Sequence, residues 1–253
     1  MQSVTDVIPQ TRPESELIRP FGASIVRQKI PEPVLKGLWD VFENSQKAEE
    51  FDTELAGNQT REFQFTPELL GDIGSDFVDM LGNGGAELYK NCIMIDWETQ
   101  RDIVTPEHRE LVDAQMMDMN LTCNVIAAWG NISVAGDYNP THTHTGLISG
   151  VGYVRMPDDI EQEWASEDHD PSAGMITFID GRGNNLVCSH VRRKPVVGEI
   201  YFFPAWLMHY VSPFRSAGER WSFSFNINIQ NLNRDLTLSS EQKKELKAKR
   251  NAG

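Results

Sequence analysis

The chain has 253 residues, 40% of them hydrophobic, and sets 23 basic against 37 acidic side chains for a formal charge of −14. That balance repels phosphate backbones and anionic headgroups, which excludes nucleic acid and membrane surfaces as main partners. Three widely spaced cysteines, Cys92, Cys123 and Cys188, form no C-x-x-C motif, and no run approaches the ~20 apolar residues needed to span a bilayer, so reduced thiols in a cytoplasmic protein are expected.

The N-terminal stretch to about residue 17 is polar and proline-bearing, without the apolar core of a secretory signal, and is expected to lie extended. A short β pattern, IRPFGASIVRQKI, precedes a first helix in which Pro33 suits the first turn and Val34, Leu35, Leu38, Trp39 and Phe42 form an apolar stripe. A second helix opens at Thr66-Pro67-Glu68, carries Leu69, Leu70, Ile73, Phe77, Met80 and Leu81, and is expected to stop at Gly82. A third opens at Thr105-Pro106-Glu107 and runs toward Met117. From about residue 121 short apolar or alternating runs are separated by Gly, Pro, Asn and Asp. Seven of them, from LTCNVIAAWGNISV to RWSFSFNINIQ, indicate an antiparallel β sandwich or barrel. A charged helix with an S-x-x-Q cap at Ser239 and Gln242 closes the chain. The expected organisation is a helical and extended region over residues 1–120, a β core over 121–232, and a charged helix over 233–253.

Chemistry concentrates in the β half. His142 and His144, separated by one residue before LISGVGYV, would point to the same face of a strand and could reach one cation. Two surface histidines beside an Asp137-Tyr138-Asn139-Pro140 turn are the plainer interpretation. His209 sits between FFPAWLM and YVSPF, either as a hydrogen-bonded core histidine or as a third ligand facing the pair. Arg220 opens an alternating strand with Arg220, Ser222, Ser224, Asn226 and Asn228 on one face and Trp221, Phe223, Phe225 and Ile227 on the other. A single guanidinium among hydroxyl and amide groups suits a polar pocket that holds a small carboxylate. Asn124 or Tyr153 could donate to a bound cosubstrate, or each could be satisfied within the sheet, and Trp129 lies on the same strand as Asn124. Asp180 ends GMITFID and could border the pocket, though a strand-terminating turn is the simpler account, while His108, His169 and His190 read as structural or solvent-facing.

Taken together, NPTHTHTGLISGVGYV, GEIYFFPAWLMHYVSPF and ERWSFSFNI resemble the 2-oxoglutarate/Fe(II) oxygenase family of phages and bacteria, within the double-stranded β-helix superfamily, over about residues 121–230. The resemblance implies a mainly β, jelly-roll or cupin-like core with flanking helices. It also implies Fe(II) held by His142 and His209, and 2-oxoglutarate with its distal carboxylate on Arg220 and Ser222. One departure stands out: the family pattern has Asp or Glu two residues after the first histidine, and this chain has His144 there. Three imidazoles around the metal are the favoured reading. The expected activity is hydroxylation of a protein side chain or a small molecule, and the helical region could offer a homodimer face. A cupin-type three-histidine metalloenzyme without 2-oxoglutarate, or a non-catalytic jelly-roll binding module, are the alternatives that the residues leave open.

Overall fold

The computed structural model describes residues 15–18, 22–45, 59–166, 171–181 and 188–232. The stretch before residue 15, His169 and the charged C-terminal helix lie outside the described residues.

Strands β1 (Ser15–Ile18) and β2 (Ile25–Lys29) pair antiparallel. Helix α1 (Glu32–Glu43) carries prolines at its entry, where no helical partner is lost, and buries Val34, Leu38, Val41 and Phe42. After β3 (Arg61–Gln64), Thr66 caps α2 (Pro67–Ile73) by accepting a bond from the Leu69 backbone N–H. This helix was expected to continue to Gly82 and end there. It breaks earlier, at Gly74, whose φ of 103° favours glycine, and α3 (Ser75–Gln100) then runs straight through Gly82. The reason is packing. A Cβ on Gly84 would lie 2.2 Å from Phe202 Cζ, and one on Gly85 would lie 2.3 Å from Ile227 Cδ1. These glycines form a notch that lets the helix lie on the sheet. Helix α4 (Pro106–Met117) starts at the expected Thr105 cap and has no fully buried side chain.

Eight strands follow: β4 (Leu121–Ser133), β5 (Asn139–His142), β6 (Ile148–Arg155), β7 (Ile176–Ile179), β8 (His190–Arg193), β9 (Glu199–Pro204), β10 (Met208–Val211) and β11 (Arg220–Asn231), with the short helix α5 (Ile160–Trp164) after β6. Each of the seven expected segments contains one strand, and β5 is an additional one where a turn was expected. The strands form two antiparallel sheets ordered β1-β2-β9-β6-β11-β4-β3 and β5-β10-β7-β8. Within them β9-β6-β11-β4 faces β5-β10-β7-β8, so first and last core strands are neighbours and the chain winds as a double-stranded β-helix. The molecule is mainly β, with α1 and α3 packed on one face of the larger sheet. Strands β2 and β3 extend the larger sheet by pairing with β9 and β4.

The two faces of β11 explain the layering. Trp221, Phe223, Phe225 and Ile227 pack with Phe63, Phe77, Leu81 and Leu88 against α1 and α3. At about 1.5–3 kcal/mol for each fully buried large apolar side chain, this layer anchors the sheet from behind. Gly150 and Gly152 on β6 leave room for the rings of Phe225 and Phe223, which occupy the space a Cβ would need. The opposite face of β11, with Arg220, Ser222 and Ser224, turns toward the smaller sheet. Among the described residues, no helix is long and apolar enough to cross a membrane.

Candidate metal centre

His142 is the last residue of β5 and His209 the second of β10, and these strands pair with His142 directly opposite His209. The two rings are 4.4 Å apart between centroids. His144 was expected to share a strand face with His142 at the start of LISGVGYV. Instead β5 ends at His142, and His144 lies in the loop before β6, where its N–H bonds the Ala205 carbonyl. That loop turns the ring back, and its Nε2 comes within 3.2 Å of His209 Nε2. One ligand atom from each histidine lies within 4.8 Å of the others.

The ring orientations follow from local backbone. His142 Nδ1 is 2.7 Å from the Pro140 carbonyl and His209 Nδ1 is 2.8 Å from the Leu207 carbonyl. A carbonyl can only accept, so each Nδ1 carries the proton and each Nε2 keeps a lone pair facing inward. Facing lone pairs repel unless a shared proton or a cation lies between them. Burial lowers all three imidazole pKa values; the charge of His142 adds to the effect, bringing His144 to about 4 and His209 to about 3. The site is therefore neutral and ready for a metal near neutral pH. Its donor set of three imidazoles fits a divalent transition metal that prefers nitrogen ligands.

The histidines open onto a narrow cavity of about 50 Å³ lined also by Trp129, Asn131, Ile176, Phe203, Arg220, Ser222 and Ser224. Arg220 is 3% exposed. Its guanidinium donates to the Gly174 carbonyl at 3.2 Å and to Ser133 Oγ at 3.0 Å, and it rests 5.9 Å from the Phe214 ring. Its Nε has no hydrogen-bond partner, and no carboxylate among the described residues pairs with it. Nearby Asp137 is engaged elsewhere, accepting from the Thr60 and Val134 backbone N–H groups. A buried cation without a counter-ion is costly, and an anionic ligand entering the cavity would relieve that cost.

The remaining sequence candidates divide. Ser222 is buried at the cavity wall. Tyr153 is its neighbour across β6, fully enclosed; burial pushes its phenol pKa up while the Arg220 charge pulls the other way. It shares Ser222's face of the sheet but is not among the residues that line the cavity. Trp129 does line it, with its ring 5.9 Å from His144. Asn124 does not join the site. The pairing of β4 and β11 shifts so that Asn226 faces Ala127 and Ile227 faces Val125, leaving Ile126 as a bulge; beyond it Asn124 and Asn228 are exposed. Asp180 ends β7 with a backbone bond to Ser189 and stays outside the lining. His108 and His190 are exposed. The sequence reading missed Gln59, Glu62 and Asn139, which also line the cavity. In sequence Glu62 sits in a four-residue strand, REFQ, too short for its alternation to stand out.

Residues 127–226 match the family model described as "Putative 2OG-Fe(II) oxygenase". Solved structures similar to the chain include a prolyl-4-hydroxylase from Pseudomonas putida, 14% identical, with a TM-score of 0.47 and covering 80% of this chain and 91% of that one. A viral collagen prolyl hydroxylase from Paramecium Bursaria Chlorella virus-1, in a 2OG complex, is 15% identical with a TM-score of 0.41, covering 79% and 94%. HygX from Streptomyces hygroscopicus, with nickel and 2-oxoglutarate bound, is 11% identical with a TM-score of 0.45, covering 79% and 82%. No curated protein matches the sequence. The matched segment contains all three clustered histidines and Arg220, and over it the chain is similar to 2-oxoglutarate/Fe(II) oxygenases.

Proposed function

We propose that His142, His144 and His209 hold the iron, and that Arg220 with Ser222 holds the distal carboxylate of 2-oxoglutarate. The buried, unpaired guanidinium in the same cavity as three converging imidazoles carries this reading. Fe(II) so held supplies open coordination positions and the oxidising chemistry. The chain's own contribution is orientation and charge. The Pro140 and Leu207 carbonyls fix two rings with Nε2 inward, and Arg220 neutralises the carboxylate furthest from the metal. Three neutral imidazoles leave the centre one unit more positive than a set containing a carboxylate, and the cosubstrate's negative charge offsets that difference. Tyr153, directly beside Ser222 on the neighbouring strand and buried with Ile176, Phe178 and Phe203, packs the same face of the sheet next to the guanidinium. Overall, a substrate C–H, dioxygen and 2-oxoglutarate give the alcohol, succinate and carbon dioxide. The substrate is a protein side chain or a small molecule, handled in a reducing cytoplasm; a homodimer through the helical side is compatible with the fold.

Anaerobic titration with Fe(II) and then 2-oxoglutarate tests this. A weak visible charge-transfer band should appear only when both are present. A folded protein that binds Fe(II) and gives no band on adding 2-oxoglutarate would favour a three-histidine metalloenzyme that uses no such cosubstrate.

A further inference from the structure

The cavity holds a second unsatisfied charge, and it is negative. Glu62 on β3 pairs with Asn131 on β4, which pairs with Ser222 on β11, so one row of side chains crosses three strands along the cavity floor. At the usual strand spacing Glu62 stands roughly 10 Å from Ser222 across that row. Its carboxylate is half-buried and, among the described residues, has no hydrogen bond and no ion pair. Burial alone raises its pKa, with no opposing charge to hold it down.

A second acceptor lies at the same end. Thr60 donates its backbone N–H to Asp137 and Gln59 donates to the Tyr138 carbonyl, so the entries of β3 and β5 are tied together. Two residues onward on each strand stand Glu62 and Asn139, both lining the cavity, and Asn139 Oδ1 is buried without a partner. Gln59 is not available, because its Oε1 accepts from the Ser133 hydroxyl. This end of the cavity therefore offers a carboxylate and a carbonyl oxygen to a group rich in N–H donors. Arg220, the imidazoles, Asn131, Ser222 and Ser224 make up the rest of the polar lining, where an anionic cosubstrate belongs.

Resting on the oxygenase reading above, we infer that Glu62 and Asn139 form a substrate subsite for a cationic nitrogen, an ammonium or a guanidinium, so that the oxidised C–H belongs to a basic substrate. The net charge of −14 draws the same class of molecule toward the protein. A cation held by a partly desolvated carboxylate gains a charge-assisted bond that a neutral isostere lacks. Specificity then lies in the difference between the two.

The test measures binding, by calorimetry or ligand-observed NMR, to protein with and without anaerobic Fe(II) and 2-oxoglutarate. The probes are N-acetyl-lysine amide, N-acetyl-arginine amide and their uncharged counterpart N-acetyl-norleucine amide, together with short peptides containing one lysine or norleucine. At least one cationic probe should bind about tenfold or more tightly than its norleucine partner. Glu62→Gln should abolish that preference while leaving Fe(II) and 2-oxoglutarate affinity unchanged, and Glu62→Asp should retain part of it. Preference confined to the lysine peptide identifies a protein side chain as the source; preference for the free amides identifies a small molecule. Equal binding of cationic and norleucine probes to the wild-type protein, or an undiminished preference in Glu62→Gln, overturns the subsite. Cation preference in a protein that takes neither Fe(II) nor 2-oxoglutarate would keep the subsite and remove the oxygenase roles instead.

Discussion

At the scale of single residues, Arg220 separates ligand binding from folding. It is buried without a carboxylate partner, so its charge costs the native state energy that the apo protein does not recover. Arg220→Gln keeps a polar side chain for Ser133 and removes the charge. It should lower 2-oxoglutarate affinity about a hundredfold, the worth of a charge-assisted pair, with Fe(II) affinity unchanged and thermal stability little altered. Calorimetric titration of the iron-loaded variant checks this, and unchanged cosubstrate affinity would remove Arg220 from the binding site. The residues of this centre were legible because imidazole and guanidinium chemistry is rare and their order is distinctive. What the sequence could not convey was how His144 reaches its place, through a loop anchored on Ala205 rather than along a strand. Glu62 was invisible for a different reason. Flanked by Arg61 and Phe63 in a short strand, it reads as a solvated charge until β3 is seen to extend the cavity floor.

At the scale of elements, the same residue type carries opposite meanings along α2 and α3. Gly84 faces three atoms of the Phe202 ring at 2.2–2.7 Å from where its Cβ would sit, and Phe202 is fully buried. Gly84→Ala should therefore destabilise the protein by about 1–3 kcal/mol despite alanine's better helix propensity. Gly71 has nothing within 4 Å of the corresponding position. Gly71→Ala should stabilise by up to about 1 kcal/mol. Chemical denaturation of the two variants gives the comparison, and a shift of the same sign in both would mean the notch does not govern α3 packing. Local signals located the Thr66 and Thr105 caps because capping is decided within four residues. The stop expected at Gly82 failed because the identity of the surface under a helix is not encoded in the helix. β5 escaped for a similar reason: NPTH has four residues, a proline and no alternation, and only pairing with β10 makes it a strand. Asn124, left open between cosubstrate and sheet, lies exposed beyond the bulge at Ile126, which no local signal marks in the sequence.

At the scale of the whole molecule, the neutral imidazole cluster couples metal binding, folding and pH. An unfolded histidine titrates near 6.5, whereas burial holds His144 to about 4 and His209 to about 3 in the folded site. Between these values the unfolded chain binds more protons than the native one, so stability is fully present above about pH 6.5 and is lost as pH falls below it. For His209, 3% exposed, lowering the pH from about 6.5 to about 5 costs about 2 kcal/mol. That corresponds to a fall of about 4–8 °C in melting temperature for a domain of this size. Carboxylates titrate mainly below this window, so the 37 acidic residues do not obscure it. Metal binding should behave differently. His144 and His209, already neutral at about pH 5 in the folded site, need not release protons to bind a cation, so affinity should fall far less steeply between about pH 8 and 5 than three solvated imidazoles would require. Scanning calorimetry of metal-free protein, with metal titrations at the same pH values, tests both halves. A melting temperature independent of pH, or an affinity that declines about a thousandfold per unit below about 6.5, as three independently protonated rings require, would mean that the rings are solvated and separate in solution, and the three histidines would no longer constitute one site.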